Sequence, residues 1–174
     1  MTRLSDPPFV VDVVIPARND EPTVATVVAA VPSRLVRQVV VVDNASSDRT
    51  ARVAEDAGAL VLREKQVGYG AACLRGLAHL ATLPHAPDAV VFCPADGSCD
   101  PGELDRLLVP LRERQSDLVI GSRTLGKKRL RLAARAAGYI ALELIRGIYR
   151  FRYSDLSPYR AVRYPALVAM SLHD

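Results

Sequence analysis

Three cysteines in 174 residues, Cys73, Cys93 and Cys99, are too few and too clustered for a disulfide framework. Cys93 and Cys99 also lack the close pair spacing of a zinc site. All three are therefore expected to be reduced thiols in a cytosolic compartment. Long apolar runs are missing too. The opening MTRLSDPPF has no continuous apolar stretch of the signal-peptide kind. No later segment reaches the roughly 18 uncharged apolar residues that a membrane-spanning helix needs. Neither a spanning nor an exported protein is expected, and no repeats or low-complexity tracts are present.

What remains is an ordinary globular composition, 49% hydrophobic and 24% charged, which fits one domain, residues 1–174, with a substantial core. The net charge of +4 is unevenly placed. Residues 125–153 carry Lys127, Lys128, Arg129, Arg131, Arg135, Arg146, Arg150 and Arg152 against the single acid Glu143. The rest of the chain is net acidic, so the basicity needs a local explanation.

Short runs rich in β-branched residues lie at Val10 to Ile15, Val39 to Val42, Leu60 to Leu62, Ala89 to Phe92 and Leu118 to Ile120. Stretches of helical periodicity separate them, over Thr23 to Ala30, Asp48 to Ala57, Ala71 to Leu80 and Glu103 to Arg114. Near-continuous apolar strands joined by helical crossovers predict an α/β fold, a mainly parallel sheet covered by helices on both faces.

In such sheets ligands bind beyond the C-terminal strand ends. Polar clusters follow each run there: Pro16-Ala17-Arg18-Asn19-Asp20-Glu21, Asp43-Asn44-Ala45-Ser46, Arg63 through Gly68-Tyr69-Gly70, Pro94-Ala95-Asp96-Gly97-Ser98 and Gly121-Ser122-Arg123. Each cluster alone reads equally well as a turn, since Asn, Asp, Ser and Gly are the usual turn residues. GYGAAC also fits the dinucleotide fingerprint loosely, but it follows the third strand rather than the first and ends in Cys73.

The whole series, in order from Val11 to about Arg163, resembles the family 2 glycosyltransferases, especially the dolichyl-phosphate mannose synthase-like group of polyprenyl-phosphate sugar transferases. VVIPARNDE resembles that family's first strand and nucleotide loop, VVVDNASSDRT its acidic second turn, and GYGAACLRG its glycine loop and helix. The resemblance implies the GT-A, Rossmann-like architecture of nucleotide-diphospho-sugar transferases. It implies that Pro16, Arg18, Asp20 and Asp43 hold the base and ribose, where carboxylates suit sugar hydroxyls and base N–H groups, and that Ala17, Asn19, Asn44, Ser46, Ala95 and Asp96 also bind the substrate. Gly68 and Gly70 would let the backbone approach the ligand at a helix N-terminus. SDLVIGSR resembles the segment that brings an arginine, here Arg123, to the diphosphate. SDLSPYRAVR resembles a late motif near the acceptor, with Asp155 and Arg160 as its polar members.

The pattern breaks at the metal motif. Family members end the fourth strand in Asp-x-Asp, whereas here it reads Pro94-Ala95-Asp96. Mg²⁺ or Mn²⁺ would then rest on Asp96 with Ser98 and phosphate oxygens, in a weakened site. The chain also stops at Asp174, where members of the family usually continue, so it is expected to be short at the C-terminus.

The implied activity is inverting transfer of a hexose from a UDP- or GDP-sugar to an acceptor, polyprenyl phosphate, with Asp96 and Arg123 stabilising the departing diphosphate. The alternative is a truncated or decayed, noncatalytic nucleotide-sugar-binding domain. The basic segment 125–153 reads as a helix lying on an anionic bilayer, which would make the protein peripheral on the cytoplasmic membrane face. It reads equally well as a core-packed helix with a solvated basic face. No nucleic-acid partner is expected.

Overall fold

A computed structural model describes residues 9–121 and 157–170. The chain begins with strand β1 (Val11–Ala17), helix α1 (Val24–Ala30), strand β2 (Gln38–Asn44), helix α2 (Thr50–Asp56) and strand β3 (Leu60–Glu64). Helix α3 (Tyr69–Ala81), strand β4 (Ala89–Phe92), helix α4 (Leu104–Arg112), strand β5 (Leu118–Ile120), strand β6 (Arg160–Arg163) and helix α5 (Tyr164–Ala169) follow among the described residues.

The strands form one six-stranded sheet in the order β3-β2-β1-β4-β6-β5. Strands β3, β2, β1 and β4 run parallel, and β6 lies antiparallel between β4 and β5. The architecture is thus the mainly parallel α/β sheet that the alternation predicts. Strand β6 and helix α5 were not expected. RAVR is too short and too charged to read as an apolar run, yet Ala161 and Val162 are buried on opposite faces of the sheet.

Two cores follow from the period of two along each strand. Val11, Val13 and Ile15 pack on one face with Val24, Val27 and Val28 of α1 and Leu104, Leu108 and Leu111 of α4. Val14, Val40, Val42 and Val90 pack on the other with Ala72 and Leu80 of α3 and Leu167 of α5. Gly76 lets α3 lie directly on β1, because a Cβ there would sit 2.6 Å from Val14 Cγ1. The one charge buried in β1, Asp12, is held by the Arg37 guanidinium.

Strand β1 runs two residues past its expected end, through Pro16 and Ala17. Proline in a central strand would ordinarily break a ladder. Here the Val14 carbonyl accepts from Cys93 N–H at 3.0 Å, so the N of Pro16, two residues on, also faces β4. The β1–β4 register ends at Val14 and Phe92, so no strand bond is lost. Among the described residues no helix is long and apolar enough to cross a membrane. The basic segment 125–153 lies outside the described residues.

Candidate functional site

The parallel strands all point their C-terminal ends to one edge, and the loops leaving that edge are stitched together by side chains. Asn19 N–H donates to Ser46 Oγ at 3.1 Å, and Ser47 N–H donates to Asn19 Oδ1 at 2.8 Å. Asp20 N–H donates to Thr50 Oγ1 at 2.8 Å, and Arg49 N–H to Glu21 Oε2 at 2.9 Å. These bonds join the loop after β1 to the loop after β2. Asn19 and Ala45 hold positive φ of 56° and 54° within them, a conformation that costs a β-carbon residue energy unless its surroundings enforce it.

Asn44, the last residue of β2, reaches the loop after β3. Its Nδ2 donates to the Gln66 carbonyl at 2.7 Å and the Glu64 carbonyl at 3.4 Å, and its Oδ1 accepts from Gly68 N–H at 2.8 Å. The glycine loop is therefore hung from the second strand. Gly68 takes φ of +156°, which L side chains rarely adopt. Among the described residues, an added Cβ at Gly70 would meet no protein atom within 4 Å beyond its own helix and chain neighbours.

Between these loops and the end of β4 lies a cleft of about 440 Å³, within the size range of small-molecule sites. Pro16, Ala17, Arg18, Asp20, Asn44, Gly68, Ala95 and Asp96 line it, all residues singled out in the sequence. Val67, Tyr69 and Pro94, which lie in the polar clusters, Ala72 of the glycine-loop helix and Pro158 of the late motif also line it, though none of them was expected as a binding residue. Asn19, Asp43, Ser46, Gly70, Ser98 and Arg160 are not on its walls. Asp43 is buried behind it and accepts from Ser46 N–H at 3.3 Å. Arg123 and Asp155 lie outside the described residues.

Two carboxylates share the cleft. Burial raises the pKa of Asp20 above its ordinary value, a backbone bond from Arg18 N–H works against this, and the charges of Asp96 and Asp48 add to it. Asp96 Oδ1 accepts from Ser98 N–H at 2.9 Å, which shapes the tight turn through Gly97. Pro94 stands on the cleft wall without a side-chain ligand. Among the described residues no group of three or more His, Cys, Asp or Glu could hold a metal ion by itself. Asp96 alone offers too few protein ligands to cage a Mg²⁺ or Mn²⁺ ion without oxygens from a bound ligand or water.

The three cysteines are free thiols. Burial pushes Cys73 up to about 11 and raises Cys93 further, so neither is poised as a thiolate nucleophile.

The profile of the family described as Glycosyl transferase family 2 matches residues 12–168. An uncharacterized glycosyltransferase of Mycobacterium tuberculosis is 34% identical over 165 residues, covering 94% of this chain and 72% of that protein. A low-salt glycan biosynthesis hexosyltransferase of Haloferax volcanii is 32% identical over 119 residues, covering 66% of this chain and 28% of that protein. Among solved structures, M. tuberculosis glucosyl-3-phosphoglycerate synthase in complex with Mn²⁺, UDP-glucose and phosphoglyceric acid has a TM-score of 0.65 at 28% identity, covering 88% of this chain and 56% of that one. The chain thus spans a little over half the length of that synthase.

Proposed function

Because the chain belongs to glycosyl transferase family 2 and has the GT-A architecture, we propose that it acts as a single domain whose cleft binds a UDP- or GDP-sugar and transfers the hexose, with inversion, to polyprenyl phosphate. The observation that carries this reading is the convergence of Arg18, Asp20, Asn44, Gly68 and Asp96, from four different strand ends, on one cleft. A base and ribose would lie against the loops after β1 and β2, near Arg18, Asp20 and Asp43. The diphosphate would extend toward Gly68, Gly70 and Asp96, where the open space at Gly70 admits a close backbone approach.

A divalent cation would be held by Asp96, with help from Ser98 and the diphosphate. When bound, it would supply charge neutralisation to the departing group. The Mn²⁺ in the synthase complex supports a divalent cation in general. The family resemblance gives Arg123 the same task. The acceptor needs little activation: a phosphate monoester, with a second pKa of about 6, is largely dianionic at neutral pH. Its oxygen forms the new bond to the anomeric carbon. The old C1–O bond breaks with its electron pair remaining on the nucleoside diphosphate, and no proton has to move.

The polyprenyl acceptor and membership of the dolichyl-phosphate mannose synthase-like group rest on the sequence resemblance and on the basic segment 125–153, which would meet anionic lipids on the cytoplasmic face. Sedimentation with anionic liposomes, reversed by salt, tests that contact. Pro94 on the cleft wall favours a second reading, a noncatalytic nucleotide-sugar-binding domain. One experiment separates the two. Purified protein is incubated with labelled UDP- or GDP-sugar, Mn²⁺ and polyprenyl phosphate, and lipid-linked sugar is extracted. Product that disappears in Asp96→Asn supports the transferase. Tight nucleotide-sugar binding without product on any acceptor supports the noncatalytic domain.

A further inference from the structure

The N–H groups of Arg18, Asn19, Asp20 and Glu21, the first four residues past β1, all end on side-chain oxygens. Arg18 donates to Asp20 Oδ2 at 2.8 Å. The other three reach across to the turn after β2: Asn19 to Ser46 Oγ at 3.1 Å, Asp20 to Thr50 Oγ1 at 2.8 Å and Glu21 to Asp48 Oδ2 at 3.2 Å. Side chains of the neighbouring turn, not the strand ladder, therefore set the shape of this loop. Arg18 and Asp20 line the cleft, while Ser46, Asp48 and Thr50 do not.

Thr50 is the innermost of the three anchors, fully buried where Asp48 is exposed and Ser46 half-buried. A hydroxyl has one hydrogen to give. Asp20 N–H can only donate, so Thr50 Oγ1 accepts there and turns its own hydrogen to Asp48 Oδ1. Thr50 N–H donates to the same carboxylate oxygen at 2.9 Å, so Asp48 holds Thr50 at two points. Asp48 thus orients the hydroxyl, the hydroxyl holds the Asp20 backbone, and the Asp20 carboxylate stands on the cleft wall. Loss of the hydroxyl would leave Asp20 N–H unpaired or force the loop to turn it toward water. The Arg49–Glu21 ion pair joins the same two loops, but the Arg49 side chain is 79% exposed and neither residue lines the cleft. It is a solvated tether of little weight.

We infer that Thr50, locked by Asp48, is a positioning residue for the nucleotide-sugar, acting through Asp20 without touching the ligand. The inference rests on the proposed function above, in which Asp20 meets the base and ribose. A carboxylate oxygen that accepts from a ribose hydroxyl has to be held to about 0.5 Å. Asp20 carries its carboxylate on a single methylene, so a shift of its backbone passes almost undiminished to that oxygen.

The test is calorimetric titration of the full chain with UDP-glucose and GDP-mannose in the presence of Mn²⁺. Thr50→Val has the shape of threonine without the hydroxyl, and it should weaken binding by about tenfold or more. Thr50→Ser restores the hydroxyl and should stay within about threefold of the natural protein. Arg49→Ala, which breaks only the exposed ion pair, should stay within about twofold. The decisive comparison is a double-variant cycle. If Thr50 acts through Asp20, adding Thr50→Val to Asp20→Asn should cost less than about twofold beyond Asp20→Asn alone. Additive losses would overturn the inference and make Thr50 a general brace of the fold. Undiminished binding by folded Thr50→Val, a Thr50→Ser as weak as Thr50→Val, or an Asp20→Asn that binds as well as the natural protein would each overturn it too. Asp48→Ala is a surface change that carries the same test where Thr50→Val does not fold. Its loss should be about threefold or more and should vanish in the Asp20→Asn background; a loss that persists there, or no loss at all, overturns the inference. Natural protein that binds neither nucleotide-sugar overturns the proposed function and the inference with it. Natural protein that binds one of them, with any of the contrary results above, overturns the inference alone.

Discussion

Replacing Asn44 should damage the glycine loop before it touches any ligand. Its amide makes two short bonds, to the Gln66 carbonyl at 2.7 Å and from Gly68 N–H at 2.8 Å, with a longer one to Glu64. At about 1 kcal/mol net for each short bond, plus the cost of groups left unpaired, Asn44→Ala should lose about 2–3 kcal/mol of stability. For a chain of this size that lowers Tm by about 4–12 °C, at roughly 2–4 °C per kcal/mol. Asn44→Asp is the sharper probe. It keeps an acceptor for Gly68 N–H but turns a carboxylate oxygen toward two backbone carbonyls. In the folded state that carboxyl should hold its proton to higher pH than in the unfolded chain. The variant's stability should then be greatest at acid pH and fall as pH rises through the folded pKa. Urea unfolding of all three proteins between pH 4 and 8 reads this out. Asn44→Asp matching the natural protein at pH 8 would refute the hydrogen-bond assignment. Asn44→Ala losing nucleotide-sugar binding at unchanged stability would make Asn44 a ligand contact rather than a brace.

Gly76→Ala should crowd Val14, since its new Cβ would sit 2.6 Å from Val14 Cγ1. Overpacking of about 1–3 kcal/mol outweighs a helix-propensity gain of about 1 kcal/mol, so a lower denaturation midpoint is expected and a higher one would count against the packing. Asp20 has a folded pKa above its ordinary 3.8, chiefly through burial. Its contribution to stability is therefore full below that value and declines as pH rises. Asp20→Asn should remove the decline, and a stability difference constant across pH would contradict the cause. Pro94→Asp should add a second oxygen ligand and steepen the Mn²⁺ dependence of nucleotide-sugar binding. An unchanged dependence in a folded variant would remove Asp96 from the metal.

Much of the fold was legible because β1, β2 and β4 are nearly unbroken valine runs, and only burial on both faces explains that composition. The loops were legible because turn residues cluster where each run stops. Strand β6 was hidden by its charge: Arg160 and Arg163 bracket two small buried residues, and its pairing with Phe92 and Ile120 depends on chain far away in sequence. Within the site, the family resemblance implied ligand contact for Asn19 and Asn44, but sequence does not show which partner an amide chooses. Both amides hold neighbouring loops. Val67 and Tyr69 lie in the cluster after the third run and Pro158 in the late motif, but their residue types did not single them out as cleft walls.

The central claim is that the cleft between the β1, β3 and β4 loops binds a nucleotide-sugar through Asp96. Calorimetric titration of the natural protein and Asp96→Asn with UDP-glucose and GDP-mannose, with Mn²⁺ and with chelator, tests it most directly. One of the two sugars should bind the natural protein with a stoichiometry near one. Chelator or Asp96→Asn should weaken that binding by about tenfold while Tm stays unchanged. Heat from neither ligand, or binding indifferent to both chelator and Asp96→Asn, would contradict it.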